Sequence, residues 1–328
     1  RSSVLSLKMM DDLRPYEDCR LCPRECGVDR SAGKLGFCGG GARAAVSHDL
    51  LHYGEEPVLS GESGPAGTTA RRSGSGTVFF AGCSLKCCFC QNYQLSWLGR
   101  GRELGDEELA EMMLGLQERG ALNINLVSPT HYLLPILRAL GLAYRRGLSI
   151  PVVANSSGYE KASVLARLEG IIDVYLPDFK YASAALAESY SGAADYFEQT
   201  GEAVREMFFQ RPLLVLDADG IAEQGLIIRH LVLPGAVENS LAVLEWVRRE
   251  LGASVALSLM SQYQPCFRAA EELGRPLEPG EYARVLARAR ALGFEHLFVQ
   301  PGAFGEDHLV PDFERPEPFY WKDRRKET

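Results

Sequence analysis

No apolar run in this chain approaches the roughly 20 residues that a bilayer-spanning helix requires, which argues against an integral membrane protein. Positive charge is also short: 35 Lys and Arg stand against 43 Asp and Glu, leaving a net charge of −8 and a pI near 5.4. A general binder of phosphate backbones needs a basic face, so nucleic acid is not an expected partner. Only local patches such as Arg71-Arg72 and Arg324-Arg325-Lys326 run the other way, the last as a solvated tail. Neither a Gly-rich dinucleotide fingerprint nor a phosphate loop of standard spacing occurs, which leaves nicotinamide and nucleoside triphosphate chemistry without support. The opening stretch, Arg1-Ser-Ser-Val-Leu-Ser-Leu-Lys8, does not begin with Met and has no apolar core of signal-peptide length. Cytoplasm is the expected compartment. Cysteine is nearly missing after residue 90, where Cys266 alone remains of nine.

The other eight cysteines fall into two groups, and in a reducing compartment such groups mean metal or redox chemistry more readily than disulfides. One group is Cys83, Cys87 and Cys90, spaced C-x3-C-x2-C at the end of the apolar stretch Val78-Phe-Phe-Ala81. Thiolate is a soft ligand that selects zinc, copper(I) or iron–sulfur clusters. A four-iron cluster normally takes four cysteines, so three leave one iron open, and an open coordination site is where chemistry happens. The bland alternative is a zinc knuckle or a cluster of packed thiols, the role assigned to Cys88 within the same loop. The other group, Cys19, Cys22, Cys26 and Cys38, is spaced C-x2-C-x3-C-x11-C in a Gly-rich segment. Four thiolates complete a tetrahedral site, and a segment this short needs such a staple. The candidates for this second site are structural zinc and an auxiliary iron–sulfur cluster.

Residues 1–75 are expected to form this Cys-rich segment plus a linker, since 60–76 are rich in Gly, Ser and Thr. From residue 76 to 328, apolar strands alternate with helical patterns, the signature of βα units and a parallel sheet, ending in an aromatic tail from Phe313 to Trp321. Strands are predicted over 77–81, 123–127, 150–155, 173–177, 227–233, 254–260 and 297–300, with helices over 106–119, 133–146, 161–169, 182–209, 240–251 and 281–291. The fold class is α/β: a partial (β/α)6-type, TIM-like barrel with a small N-terminal Cys-rich metal-binding segment. In such a barrel the reactive groups sit where strands end. The predicted ends are polar in turn: the cysteine loop, Ser128-Pro-Thr130-His131, Asn155-Ser-Ser157-Gly158, Asp178-Phe-Lys180, His230 within its strand, and Ser261-Gln262-Tyr263-Gln264. Each alone is an ordinary helix cap or turn; six in succession point to a site. His52, with Glu55 and Glu56, is a surface group or a ligand at the domain junction.

Cys83, Cys87 and Cys90, with Phe89 before the last cysteine and an apolar strand leading in, resemble the cluster loop of radical S-adenosylmethionine (SAM) enzymes. The likeness extends to Asp178-Phe-Lys180, similar to the D-x-K motif of the pyruvate formate-lyase activating enzyme and its relatives, and to Ile228-Arg-His230-Leu-Val-Leu-Pro-Gly235, similar to their SAM-contacting strand. The whole chain resembles an uncharacterised subgroup related to that enzyme. The resemblance implies a [4Fe-4S] cluster on the three cysteines, SAM on the remaining iron, and an electron donor such as flavodoxin or ferredoxin. It implies that Phe89 packs on adenine, that Lys180 and His230 bind SAM carboxylate or ribose, and that Asp178 holds a monovalent cation or orients SAM. Asn155 and Ser157 are further SAM-positioning groups. Ser128 and Thr130 stand by position where the family has a Gly-Gly-Glu segment.

The expected function is an enzyme that cleaves SAM reductively to a 5'-deoxyadenosyl radical and abstracts hydrogen from a small molecule or a protein. Two alternatives compete with it: an activase that acts on a glycine backbone of a partner enzyme, and a non-catalytic binding module stapled by zinc at both cysteine groups. Cys266, after the sixth strand, is a candidate hydrogen-atom donor or thiyl former.

Overall fold

The computed structural model describes residues 16–61, 73–300 and 310–319. The centre of the linker, Arg71-Arg72, the basic run 324–326 and Trp321 lie outside the described residues. No helix among the described residues is long and apolar enough to cross a membrane.

The architecture is α/β, with one open, mostly parallel sheet. Its strands are β1 (Ala44–His52), β2 (Ser75–Phe80), β3 (Arg102–Leu104), β4 (Ile124–Val127), β5 (Val152–Ser156), β6 (Val174–Pro177), β7 (Val215–Leu216), β8 (Ala222–Leu231), β9 (Ala256–Met260) and β10 (Leu297–Val299). The order is β10-β9-β8-β6-β5-β4-β2-β1-β3, with β7 added on β8. The stretch from β2 to β10 is parallel and never reverses direction, which is the winding of a barrel left unclosed. Curvature is visible in the packing. Val153, Val174, Leu176, Ile227 and Ala256, from β5, β6, β8 and β9, meet in one cluster on the inner face. Their sequence neighbours on the same strands, such as Val152, Tyr175, Ile228 and Leu257, point to the helices outside and join the main core.

The cysteine-rich segment is built into this sheet. β1 pairs antiparallel with β2, from Val46 opposite Phe80 to His52 opposite Ser75, and β3 pairs with its other side. The strand was not predicted. After it, the turn Pro57–Ser60 inserts Val58 and Leu59 into the inner cluster. β2 approaches its neighbour closely, for a Cβ at Gly76 would stand 2.7 Å from the Asn123 carbonyl oxygen.

The predicted helix over 182–209 is two helices, Ala184–Ser191 and Tyr196–Gln210. Gly192 ends the first in a left-handed conformation (φ 54°, ψ 43°), a stop that glycine accepts at no steric cost. The region 161–169 holds only a short α turn, Ala162–Leu165, and a 3-10 turn.

Candidate functional site

β2 runs into the cysteine loop through Gly82, whose φ of +84° turns the chain where a Cβ would stand 2.5 Å from the Cys38 carbonyl oxygen. At that approach the Cys83 N–H donates to the Cys38 carbonyl, 3.2 Å away, so the two cysteine groups are joined directly. The loop continues through Lys86 in a left-handed conformation (φ 55°), and Trp97 Nε1 donates to the Cys87 carbonyl at 3.0 Å. Arg24, between Cys22 and Cys26, spans from the Ser84 carbonyl (3.0 Å) to that of Ser191 (2.8 Å). Cys83, Cys87 and Cys90 all line one cavity of about 290 Å³, with Phe89 in its wall. Phe89 packs edge-on against Tyr190 and Tyr263.

The strand ends supply the rest of the wall. Ser128 lies there with φ 59°, its N–H donating to the Asn155 carbonyl at 2.8 Å. Asn155 and Ser157 follow from β5, and Asp178 and Lys180 from the end of β6. One buried hydroxyl holds these two ends in register, since Tyr196 OH lies 2.8 Å from the Ser157 carbonyl and 2.9 Å from that of Asp178. Asp178 pairs with Lys180 and, at 2.9 Å, with Arg229 Nε. Burial alone would raise the Asp178 carboxyl, but Arg229 and Lys180 outweigh it and hold the group below its ordinary range. Burial likewise opposes the charge of Lys180, and Asp178 restores it. The pair is thus a fixed ammonium and carboxylate facing the cavity.

Three expected residues stand elsewhere. His230 is 0% exposed and absent from the cavity wall; its Nδ1 lies 2.6 Å from the Phe179 carbonyl. Side chains alternate along a strand, so Arg229 and Leu231 take the inner face and His230 the outer one. Thr130 also turns away, donating its hydroxyl to Glu160. Cys266 is outside the wall, donating its thiol to the Phe89 carbonyl at 3.4 Å, and burial pushes its pKa up to about 11. It ties the loop after β9 to the cysteine loop.

The sequence reasoning missed Arg229, and it underrated His52, Glu55 and Glu56, all of which line the cavity. The Arg229 guanidinium reaches Asn155 Oδ1 at 2.6 Å and Glu55 Oε2 at 3.4 Å besides Asp178. Strand alternation was the signal that marked it: in Ile227-Ile-Arg229-His230-Leu231, Arg229 shares the face of Ile227, which packs inside.

The donor set of the triplet suits a metal cluster. Burial holds the Cys83 thiol above its ordinary range and pushes Cys90 up to about 12, and coordination reverses this because the bound ligand is the thiolate. No group of three or more His, Cys, Asp or Glu among the described residues forms a shell for a single ion. A four-iron cluster does not need one, because each cysteine binds a different iron. In the N-terminal group, Cys26 and Cys38 Sγ each accept a backbone N–H at 3.3 Å, from Phe37 and Gly40, while burial pushes Cys22 up to about 12. Among the described residues those four thiols are not grouped as a single-ion shell either.

No protein-family model matches the chain. It is similar to two uncharacterized proteins of Methanocaldococcus jannaschii: 28% identical over 310 residues, covering 91% of this chain and 82% of the relative, and 24% identical over 306 residues, covering 90% and 84%. Among solved structures it is similar to methylornithine synthase (PylB), at 12% identity and a TM-score of 0.44, over 74% of this chain and 77% of that one.

Proposed function

We propose that this chain is a radical SAM enzyme. The observation that carries the reading is the convergence of Cys83, Cys87 and Cys90 with Ser128, Asn155, Ser157, Asp178 and Lys180 on one cavity, from four separate strand ends. Cys83, Cys87 and Cys90 would hold a [4Fe-4S] cluster there, which would supply the electron for reductive cleavage of SAM. The chain's own residues bind and orient. Lys180, kept charged by Asp178, offers a cation to the SAM carboxylate; Asn155, Ser157 and Ser128 offer hydrogen-bonding groups to its ribose and amino group; Phe89 offers an apolar face to adenine. Pro311 and Phe319 add apolar surface to the cavity wall.

An acidic electron donor of the flavodoxin or ferredoxin kind fits the outside of the cysteine loop. Lys86 stands over the Phe37 and Trp97 rings, at 5.4 and 5.7 Å, and Arg268 over Trp97 and Phe267, both at 5.1 Å. This is a basic, aromatic rim on an acidic molecule.

The test is anaerobic reconstitution with iron and sulfide, then dithionite and SAM, with 5'-deoxyadenosine followed by chromatography. Wild type is expected to form it and Cys87→Ala is not. A wild-type protein with a full cluster that forms none would end the reading.

A further inference from the structure

Among the described residues, the cavity wall carries more carboxylate than its cations can pair. Glu55, Glu56 and Asp178 face Arg229, Lys180 and His52; Arg229 is taken up by Asp178, Glu55 and Asn155, Lys180 by Asp178, and His52 Nδ1 lies 3.4 Å from Glu55 Oε1. The unmatched group is Glu56: it is 4% exposed, it lines the cavity, and its Oε2 has no hydrogen-bond partner. Burying an unpaired carboxylate oxygen is costly, and chains rarely retain one without a use. Burial is also the main influence on its protonation, raising its pKa, and Arg229 opposes the shift. A second acceptor in the same wall, Gln300 Oε1, is likewise without a partner among the described residues.

Position fits a ligand rather than a structural role. Arg229 joins the Asp178–Lys180 pair to Glu55, and Glu56 follows Glu55 in the same wall. They enter on the loop before Pro57–Ser60, whose Val58 and Leu59 fill the inner core and fix the loop in place.

We propose that Glu56 is the substrate-recognition carboxylate of this cavity, and that it binds a cationic amino or guanidino group on a small-molecule substrate, with Gln300 accepting a second N–H. The proposal rests on the radical SAM reading for the word substrate; the binding site itself does not.

The experiment is calorimetric titration of the reconstituted full chain, at pH 7.5 and fixed ionic strength, with 1,4-diaminobutane, agmatine and L-arginine. 1,4-Butanediol serves as the neutral analogue and KCl as the inorganic cation, and each titration is repeated with SAM present. At least one of the amines is expected to bind saturably, alongside SAM, and about tenfold or more weakly in Glu56→Gln. Glu56→Gln nearly conserves volume and replaces a carboxyl whose charged form burial disfavours, so its melting temperature without ligand is expected to equal or exceed that of wild type, which separates lost binding from lost folding. The proposal is overturned if no amine binds, if the diol binds equally well, if potassium displaces the amine at equal concentration, if SAM and the amine exclude each other, or if Glu56→Gln binds as wild type does. Deoxyadenosine formation without amine binding would sink this proposal and leave the reaction class standing; amine binding without deoxyadenosine would do the reverse.

Discussion

His230 sits on the outer face of β8 with its Nδ1–H on the Phe179 carbonyl, and burial lowers its pKa from 6.5 to about 4. The folded chain keeps this ring neutral, whereas the unfolded chain takes up a proton near pH 6.5. Stability is therefore complete above pH 6.5 and falls as the pH drops towards 4, by about 3 kcal/mol at the full shift. His230→Gln retains an N–H donor and does not titrate, so its denaturation midpoint should change less between pH 7 and pH 4.5 than that of wild type. Equal acid sensitivity in the two proteins would refute this account. The same residue marks the limit of the sequence at this scale. A motif resemblance names His230, but the face a side chain takes depends on strand parity, which is fixed by the inner packing of Ile227 and by the pairing of His230 with Leu259. The cysteine triplet needed no such information because its spacing alone brings the thiols to one loop. Glu56 was legible only as a neighbour of His52 in a candidate ligand group, since a carboxylate in a short loop shows its burial only once the chain has folded around it.

Elements differ in how strongly their residues announce them. β5 and β6 were legible as continuous apolar runs with polar ends, which is how a strand buried on both faces is written. β1 was not, because Ala44-Ala-Val-Ser-His-Asp-Leu-Leu-His52 mixes polar and apolar residues and gains its place by pairing with β2 and β3. Between β5 and β6 the join is glycine-dependent. Gly158 has φ +76°, and a Cβ there would stand 2.1 Å from the Asp178 carbonyl oxygen and 3.0 Å from Thr200 Cγ2. Gly158→Ala therefore adds left-handed strain of about 1–2 kcal/mol and also forces the two strand ends apart. The expected result is a stability loss of about 2 kcal/mol or more in chemical denaturation, with deoxyadenosine formation reduced beyond what the folded fraction explains, because Ser157 and Asp178 lose the register that Tyr196 sets. A variant as stable and as active as wild type would show that the join tolerates a side chain.

At the scale of the whole molecule, a net charge of −8 would repel the acidic electron donor proposed above, while Lys86 and Arg268 would attract it at the cysteine loop. The two effects separate by range. At 0.1 M salt the Debye length is about 10 Å, so the diffuse repulsion is already weakened whereas pairs in near contact persist. Arg268 is exposed and its guanidinium stands over Trp97 and Phe267, with its backbone N–H on the Cys88 carbonyl at 3.1 Å. Reversing its charge should thus expose the repulsion of the rest of the molecule. For Arg268→Glu, stopped-flow reduction by an acidic flavodoxin is expected to be about fivefold slower at low salt, and to speed up as salt is added. Wild-type reduction should slow or hold constant over the same range. Dithionite carries no docking surface, and its rate with the two proteins should differ far less. If both proteins respond to salt alike, the donor approaches by another face and the rim serves only to pack the loop.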